Sequence, residues 1–260
     1  MMIHPLLPKL RQLKLSGMAL TLDLRAVQAR DQGLGPLEFF ALLLDDELER
    51  RDQGRLARRL AQSGCDGHKA LARFDFAAAP GVNRSVIQEL ASCAFVARHE
   101  NVLLVGPTGV GKSHLGHALG LEALKRGLRV LARSTNRLLA ELHAGRANGT
   151  HHRLLARVLN VDLLILDDFG LQPLTAQGIQ DLYDIIAERY EHGSILITSN
   201  RAFEEWPPLF NNDLLASAAL DRLTHHAHVI TIRGQSYRQT SRRKEALTTA
   251  LSSSPESASE

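Results

Sequence analysis

Aromatic residues make up only 5% of the 260-residue chain, with a single tryptophan, and cysteine occurs only twice. Cys65 and Cys93 have neither metal-ligand nor redox spacing, so disulfide support is not expected and two reduced thiols are. No apolar run approaches the length that spans a bilayer, which excludes a transmembrane segment. Lys9 and Arg11 interrupt the N-terminus before a secretory core could form, so the expected compartment is the cytoplasm, with no membrane partner. Acidic residues are missing where the basic ones gather. From Lys125 to Arg157 eight Lys or Arg residues face one acid, Glu141, and residues 233–244 hold Arg233, Arg238, Arg242, Arg243 and Lys244 with no acid at all. The net charge is only +3, but patches of one sign attract polyphosphate.

What the chain does have is Asn101-Val-Leu-Leu-Val105 running into Gly106-Pro-Thr-Gly-Val-Gly-Lys-Ser113. This is a short apolar strand followed by G-x-x-x-x-G-K-[ST], the loop that cradles nucleotide phosphates. Gly106, Gly109 and Gly111 allow the tight backbone that turns successive N–H groups inward, and Pro107, Thr108 and Val110 complete the cradle. Lys112 is placed to reach the β- and γ-phosphates and the Ser113 hydroxyl to hold Mg²⁺, while the helix starting there adds its N-terminal dipole. A nucleoside triphosphate with Mg²⁺ is the implied ligand.

Around the loop the pattern alternates helices with buried strands: helix 83–98 capped by Asn83, strand 101–105, helix 112–126, strand 128–132 and a basic helical region 135–159. Strand 161–166, helix 175–192, strand 194–198, helix 213–224 and strand 228–232 follow, with Gly127 and Gly193 expected at helix ends. Runs such as Leu163-Leu-Ile-Leu166 suit a parallel sheet covered on both faces, so the fold class is α/β. Residues 1–66 read as a small all-helical domain, with Leu6, Leu10 and Leu13, then Leu20, Leu24 and Val27, then Phe40, Leu44 and Leu48 turned inward. Residues 67–82 read as a linker, 83–233 as the nucleotide domain, 234–245 as a basic segment and 246–260 as a tail with too little apolar surface to fold.

Val161-Asp-Leu-Leu-Ile-Leu-Asp-Asp168 puts two carboxylates at the carboxyl end of a buried strand, where open α/β sheets form their ligand crevice. Asp167 is expected to orient the metal shell and Asp168 to polarise the attacking water. The strand Ser194-Ile-Leu-Ile-Thr-Ser-Asn200 ends in polar residues, of which Asn200 is the candidate to touch that water or the γ-phosphate. Arg222, late in a helix, suits a finger into a neighbouring subunit's site. In the basic region Arg133, Arg137, Arg146, Arg153 and Arg157 fit phosphate contact, and the lack of aromatics there leans toward duplex DNA.

Together the phosphate loop, the Asp-Asp strand, the Thr-Ser-Asn strand end and the late Asp221-Arg222 resemble the AAA+ ATPases of the initiator and helicase-loader branch. Leu13-Lys-Leu-Ser-Gly-Met18, Phe74-Asp-Phe76, Leu163 to Gly170 and Leu220 to His228 running into Arg233-Gly-Gln-Ser-Tyr237 are similar to the IstB family of transposition helper ATPases, themselves like DnaC-type loaders. That resemblance implies a five-stranded parallel sheet, ATP hydrolysis, ATP sites at the interfaces of a homo-oligomer, assembly on double-stranded DNA and its delivery to a transposase. It matches Lys112 and Ser113 to the phosphate-loop pair, Asp167 to the metal carboxylate, Asn200 to the first sensor and Arg222 to the trans-acting arginine. Asp168 departs from the Glu of most AAA+ members, and one methylene fewer draws the carboxylate back. The alternatives are a helicase loader acting on single strands and an ATP-gated DNA-binding module with negligible hydrolysis. Adenine is expected near residues 74–82.

Overall fold

The computed structural model describes residues 5–234, 236 and 237. Arg238, Arg242, Arg243, Lys244 and the expected tail lie outside the described residues. The chain divides into compact units at Arg59 and Leu60, inside a helix, rather than at residue 66.

The first unit holds α1 (Leu7–Gln12), α2 (Ser16–Gln32) and most of α3 (Pro36–Ser63). Its core is Met18, Leu22 and Leu43, with Leu7, Leu10, Leu15 and Phe39 packed on it. The inward stripe of α3 is therefore one residue earlier than Phe40, Leu44 and Leu48, all of which are exposed, as are Leu6, Leu13, Leu20, Leu24 and Val27. Polar anchors set this rotation. Buried Glu47 accepts the N–H groups of Gly17 and Met18 at the start of α2, at 2.6 and 3.3 Å. Arg25 of α2 grips both oxygens of Asp46 at 2.8 and 2.7 Å. A carboxylate on the orphan amides of a helix start satisfies donors that have no partner within the helix.

The second unit is built on five parallel strands in the order β2-β3-β4-β1-β5. They are β1 (Asn101–Val105), β2 (Val130–Ser134), β3 (Leu163–Phe169), β4 (Ser194–Ser199) and β5 (Ala227–Thr231). Before β1 the expected single helix is two, α4 (Arg84–Ala91) and α5 (Ala94–Ala97), because Cys93 adopts φ 60° between them. Asn83 caps α4 as expected, and Cys65 and Cys93 are free and buried. The remaining helices are α6 (Lys112–Lys125), α7 (Thr135–Ala147), α8 (His151–Leu159), α9 (Ala176–Arg189) and α10 (Asp213–Thr224). The basic region is thus a helical pair broken before Thr150. Among the described residues no helix is long and apolar enough to cross a membrane.

Strand alternation assigns each side chain a face. Leu164 and Leu166 of β3 pack with Ile195 and Ile197 of β4 under α7, α9 and α10. The intervening Ile165, Leu196 and Thr198 meet α6, which comes so close at Gly116 that a Cβ there would lie 3.1 Å from Leu196 and 3.2 Å from Thr198. Gly193, expected as a helix cap, serves another purpose: it makes room for the buried Arg189 guanidinium, 2.7 Å from where its Cβ would be. That guanidinium donates to the carbonyls of Val158, Val161 and Ser194 at 3.0, 2.9 and 2.8 Å, tying the end of α8 and the entry to β3 to the start of β4.

Candidate nucleotide site

The phosphate loop leaves β1 at the carboxyl edge of the sheet. Gly106, Gly109 and Gly111 all have positive φ, at 149°, 83° and 95°, the conformations that a side chain would strain. Gly106 N–H donates to Ser199 O at 3.2 Å, so the end of β4 lies against the loop, and Asn200 follows directly. Lys112 is buried and folds its Nζ onto Pro107 O at 2.7 Å. Burial lowers its pKa, while Asp168 and Asp167 oppose that shift.

Period-two alternation carries Asp167 to the α6 face along with Leu163 and Ile165. There Thr198 Oγ1 donates to Asp167 Oδ1 and accepts the N–H of Asp168 at 3.1 Å. Asp168 would point to the opposite face in a regular strand. Instead the pairing of β3 with β4 shifts register between Leu166 and Phe169, and Asp168 takes φ 56°, which re-aims it. Thr135 Oγ1, in the first turn of α7, donates to Asp167 O at 3.0 Å. Ser113 and the Asp167 carboxylate offer hard oxygen donors beside the loop, a set that suits Mg²⁺.

Two residues at this site escaped the sequence reading. Thr198 stands two residues before Asn200, on β4 itself, and its hydroxyl is the group that meets the two aspartates. His117 sits one turn beyond Ser113 on α6, buried, with Nε2 3.8 Å from Asp167 Oδ2. Desolvation is the largest influence on His117 and lowers its pKa. The segment expected as a linker is packed rather than loose. Phe74 lies where a Cβ on Gly111 would approach it to 2.7 Å, and its ring meets His114 edge-on at 5.4 Å between centroids.

Other candidates fall away from the loop. Arg222 is at the amino edge of the sheet, next to Leu223, whose carbonyl accepts Asn101 Nδ2 at 3.0 Å. Asn101 opens β1 and the loop closes it, a separation of about 13 Å at the rise of a parallel strand. Arg222 donates to Ala218 O at 2.8 Å and borders a cleft with Arg98, Tyr190 and His226.

The five arginines of the basic region do not form one free row. Arg146 is bound to both oxygens of Asp181, which is 3% exposed. Arg133 donates to Ala132 O, Arg157 to Gln62 O at 2.7 Å and Arg137 to Glu141 at 3.0 Å. Arg153 is exposed and makes no such bond among the described residues.

A parallel sheet of this order, with the phosphate loop after β1, between β4 and β5, and the acidic pair two strands away on β3, defines the P-loop AAA+ fold. A replication initiator DnaA bound to AMPPCP and single-stranded DNA shares that fold at a TM-score of 0.53 and 23% identity, over 72% of this chain and 56% of that one. The profile described as IstB-like ATP binding protein matches residues 8–245, and the chain belongs to that family. It is 38% identical to the ATP-binding protein of insertion sequence IS21 from Pseudomonas aeruginosa, over 95% of this chain and 93% of the relative. It is 39% identical to the insertion-sequence ATP-binding protein Rv3427c of Mycobacterium tuberculosis, over 88% and 92%.

Proposed function

We propose that this insertion-sequence protein is an ATP-gated DNA-delivery factor. It binds ATP with Mg²⁺, assembles as a homo-oligomer on double-stranded DNA, presents that DNA to a transposase, and releases it on hydrolysis. The observation that carries the reading is that one buried hydroxyl, Thr198, holds the Asp167 carboxylate and the Asp168 amide, with both aspartates close enough to act on the charge of Lys112 in the phosphate loop.

In this reading the loop amides and Lys112 hold the phosphates, and Ser113 and Asp167 are the residues that would hold Mg²⁺, which would supply charge neutralisation to the phosphates. Asp168 takes the proton from the attacking water, and Asn200 orients that water. Arg222 serves the nucleotide of the next subunit, since it faces away from its own. Exposed Arg153 contacts the DNA backbone, with Arg137 and Arg157 able to exchange their present partners for phosphate, whereas Arg133 and Arg146 act inside the fold. The cytoplasm is the compartment consistent with this work.

The experiment is DNA binding by the full chain with ATP, ADP or no nucleotide, using Lys112→Ala as control. ATP-dependent, salt-sensitive binding to random duplex supports the reading. Binding to single strands alone would favour a helicase loader. ATP-dependent duplex binding without turnover would favour a DNA-binding module that uses ATP only to assemble.

A further inference from the structure

His117 is a buried polar side chain beside Asp167 that the nucleotide chemistry above does not use. Its Nδ1 accepts the backbone N–H of Asp66 at 3.2 Å. A ring nitrogen that accepts a hydrogen bond carries no proton, so the neutral ring holds its proton on Nε2. That Nε2–H faces Oδ2 of Asp167 across 3.8 Å, while the other oxygen, Oδ1, is held by Thr198. A small turn of the carboxylate closes the gap to hydrogen-bond length.

The other side of the ring leads to a well-tied turn. Asp66 Oδ1 accepts the N–H of His68 at 2.9 Å, and Asp66 Oδ2 lies 3.8 Å from Lys69 Nζ. The turn follows directly on α3, whose last residue, Ser63, accepts the N–H of Cys65 at 3.0 Å. One imidazole therefore stands between the carboxylate at the metal position and the backbone at the exit of α3.

We propose that His117 is a positioning residue that aims Asp167 at Mg²⁺ and, through the Asp66 amide, makes the Cys65–Lys69 turn respond to the metal–nucleotide complex. The proposal rests on Asp167 as the Mg²⁺ carboxylate. Partners that orient a ligand from behind contribute to metal affinity without touching the metal, and losing one costs about 10-fold or more. Leucine at 117 removes both the Asp66 bond and the approach to Asp167 at similar size. Glutamine restores an N–H donor on a flexible stem.

The test uses a fluorescent ATP analogue and the full-length protein. Mg²⁺ is titrated into the nucleotide complex of wild type, His117→Leu and His117→Gln, with thermal melting as the fold control. The expected result is a Mg²⁺ midpoint raised about 10-fold in His117→Leu, metal-free nucleotide affinity unchanged, and partial recovery in His117→Gln. A companion measurement on wild type follows exchange of the Asp66 amide. Mg²⁺ with ATP should slow it severalfold relative to ATP with chelator, and this serves even if a variant does not fold. Folded variants with wild-type midpoints, or an Asp66 amide indifferent to Mg²⁺, overturn the role of His117 and leave the function standing. A wild-type protein whose nucleotide binding ignores Mg²⁺ overturns both, and Asp167→Ala then separates them by showing whether Asp167 affects nucleotide at all.

Discussion

Thr198 donates its hydroxyl to the Asp167 carboxylate and accepts the amide of Asp168, so one side chain on β4 holds both acidic residues of β3 in place. Replacing it with valine keeps the shape but removes both bonds. Thr198→Val should cost about 1–3 kcal/mol of stability, the range for leaving buried polar groups unsatisfied. It should bind nucleotide yet turn it over more slowly, as urea unfolding and a phosphate-release assay would show.

Lys112 is held between desolvation and two carboxylates, a setting that favours an incoming polyphosphate. Lys112→Ala removes a charged hydrogen bond worth about 1.5–3 kcal/mol, so ATP affinity should fall on the order of 10- to 100-fold by calorimetry. A wild-type affinity in this variant would place the nucleotide elsewhere.

Asp168 has its backbone in the left-handed region, which re-aims a carboxylate one methylene shorter than the usual glutamate. Asp168→Glu should raise turnover by about 10-fold, a modest part of what a general base contributes. Asp168→Asn should abolish turnover and preserve ATP binding. Equal turnover in all three proteins would remove Asp168 from the chemistry.

Arg146 and Arg153 lie in one basic region with opposite expected phenotypes. Arg146→Ala strands the buried Asp181 carboxylate and should destabilise the fold by roughly 3 kcal/mol. Arg153→Ala should leave melting unchanged, weaken DNA binding and lower the salt slope by about one. Identical melting temperatures for the two variants would contradict the structural assignment of Arg146.

In the first unit Arg25 holds the Asp46 carboxyl down to about 2, against an ordinary value of 3.8. A depressed carboxylate stabilises the fold fully above its unfolded value and loses that contribution as pH falls toward the folded one. Denaturation midpoints should therefore drop between pH 3.8 and about 2, less steeply in Asp46→Asn than in wild type.

The legible parts of this protein were those whose meaning is local. The loop from Gly106 to Ser113, the Asp167-Asp168 strand end and the cap at Asn83 follow from spacing along the chain, and the structure has them there. The rotation of α3 was not legible, because a stripe at 40, 44, 48 and one at 39, 43, 47 have equal helical period. A buried Glu47 capping another helix decides between them, and it lies about thirty residues away in sequence. His117 and Thr198 were hidden for the same reason. Only the pairing of strands and the seating of α6 bring them to Asp167, although the one-turn spacing of His117 from Ser113 was a usable signal.

Arg189 gives the domain one fixed end. By tying the end of α8 and the entry to β3 to the start of β4, it braces the amino edge of the sheet. At the opposite, carboxyl edge the ties run outward instead, from Asp167 to α7 through Thr135 and from His117 on α6 to the turn after α3.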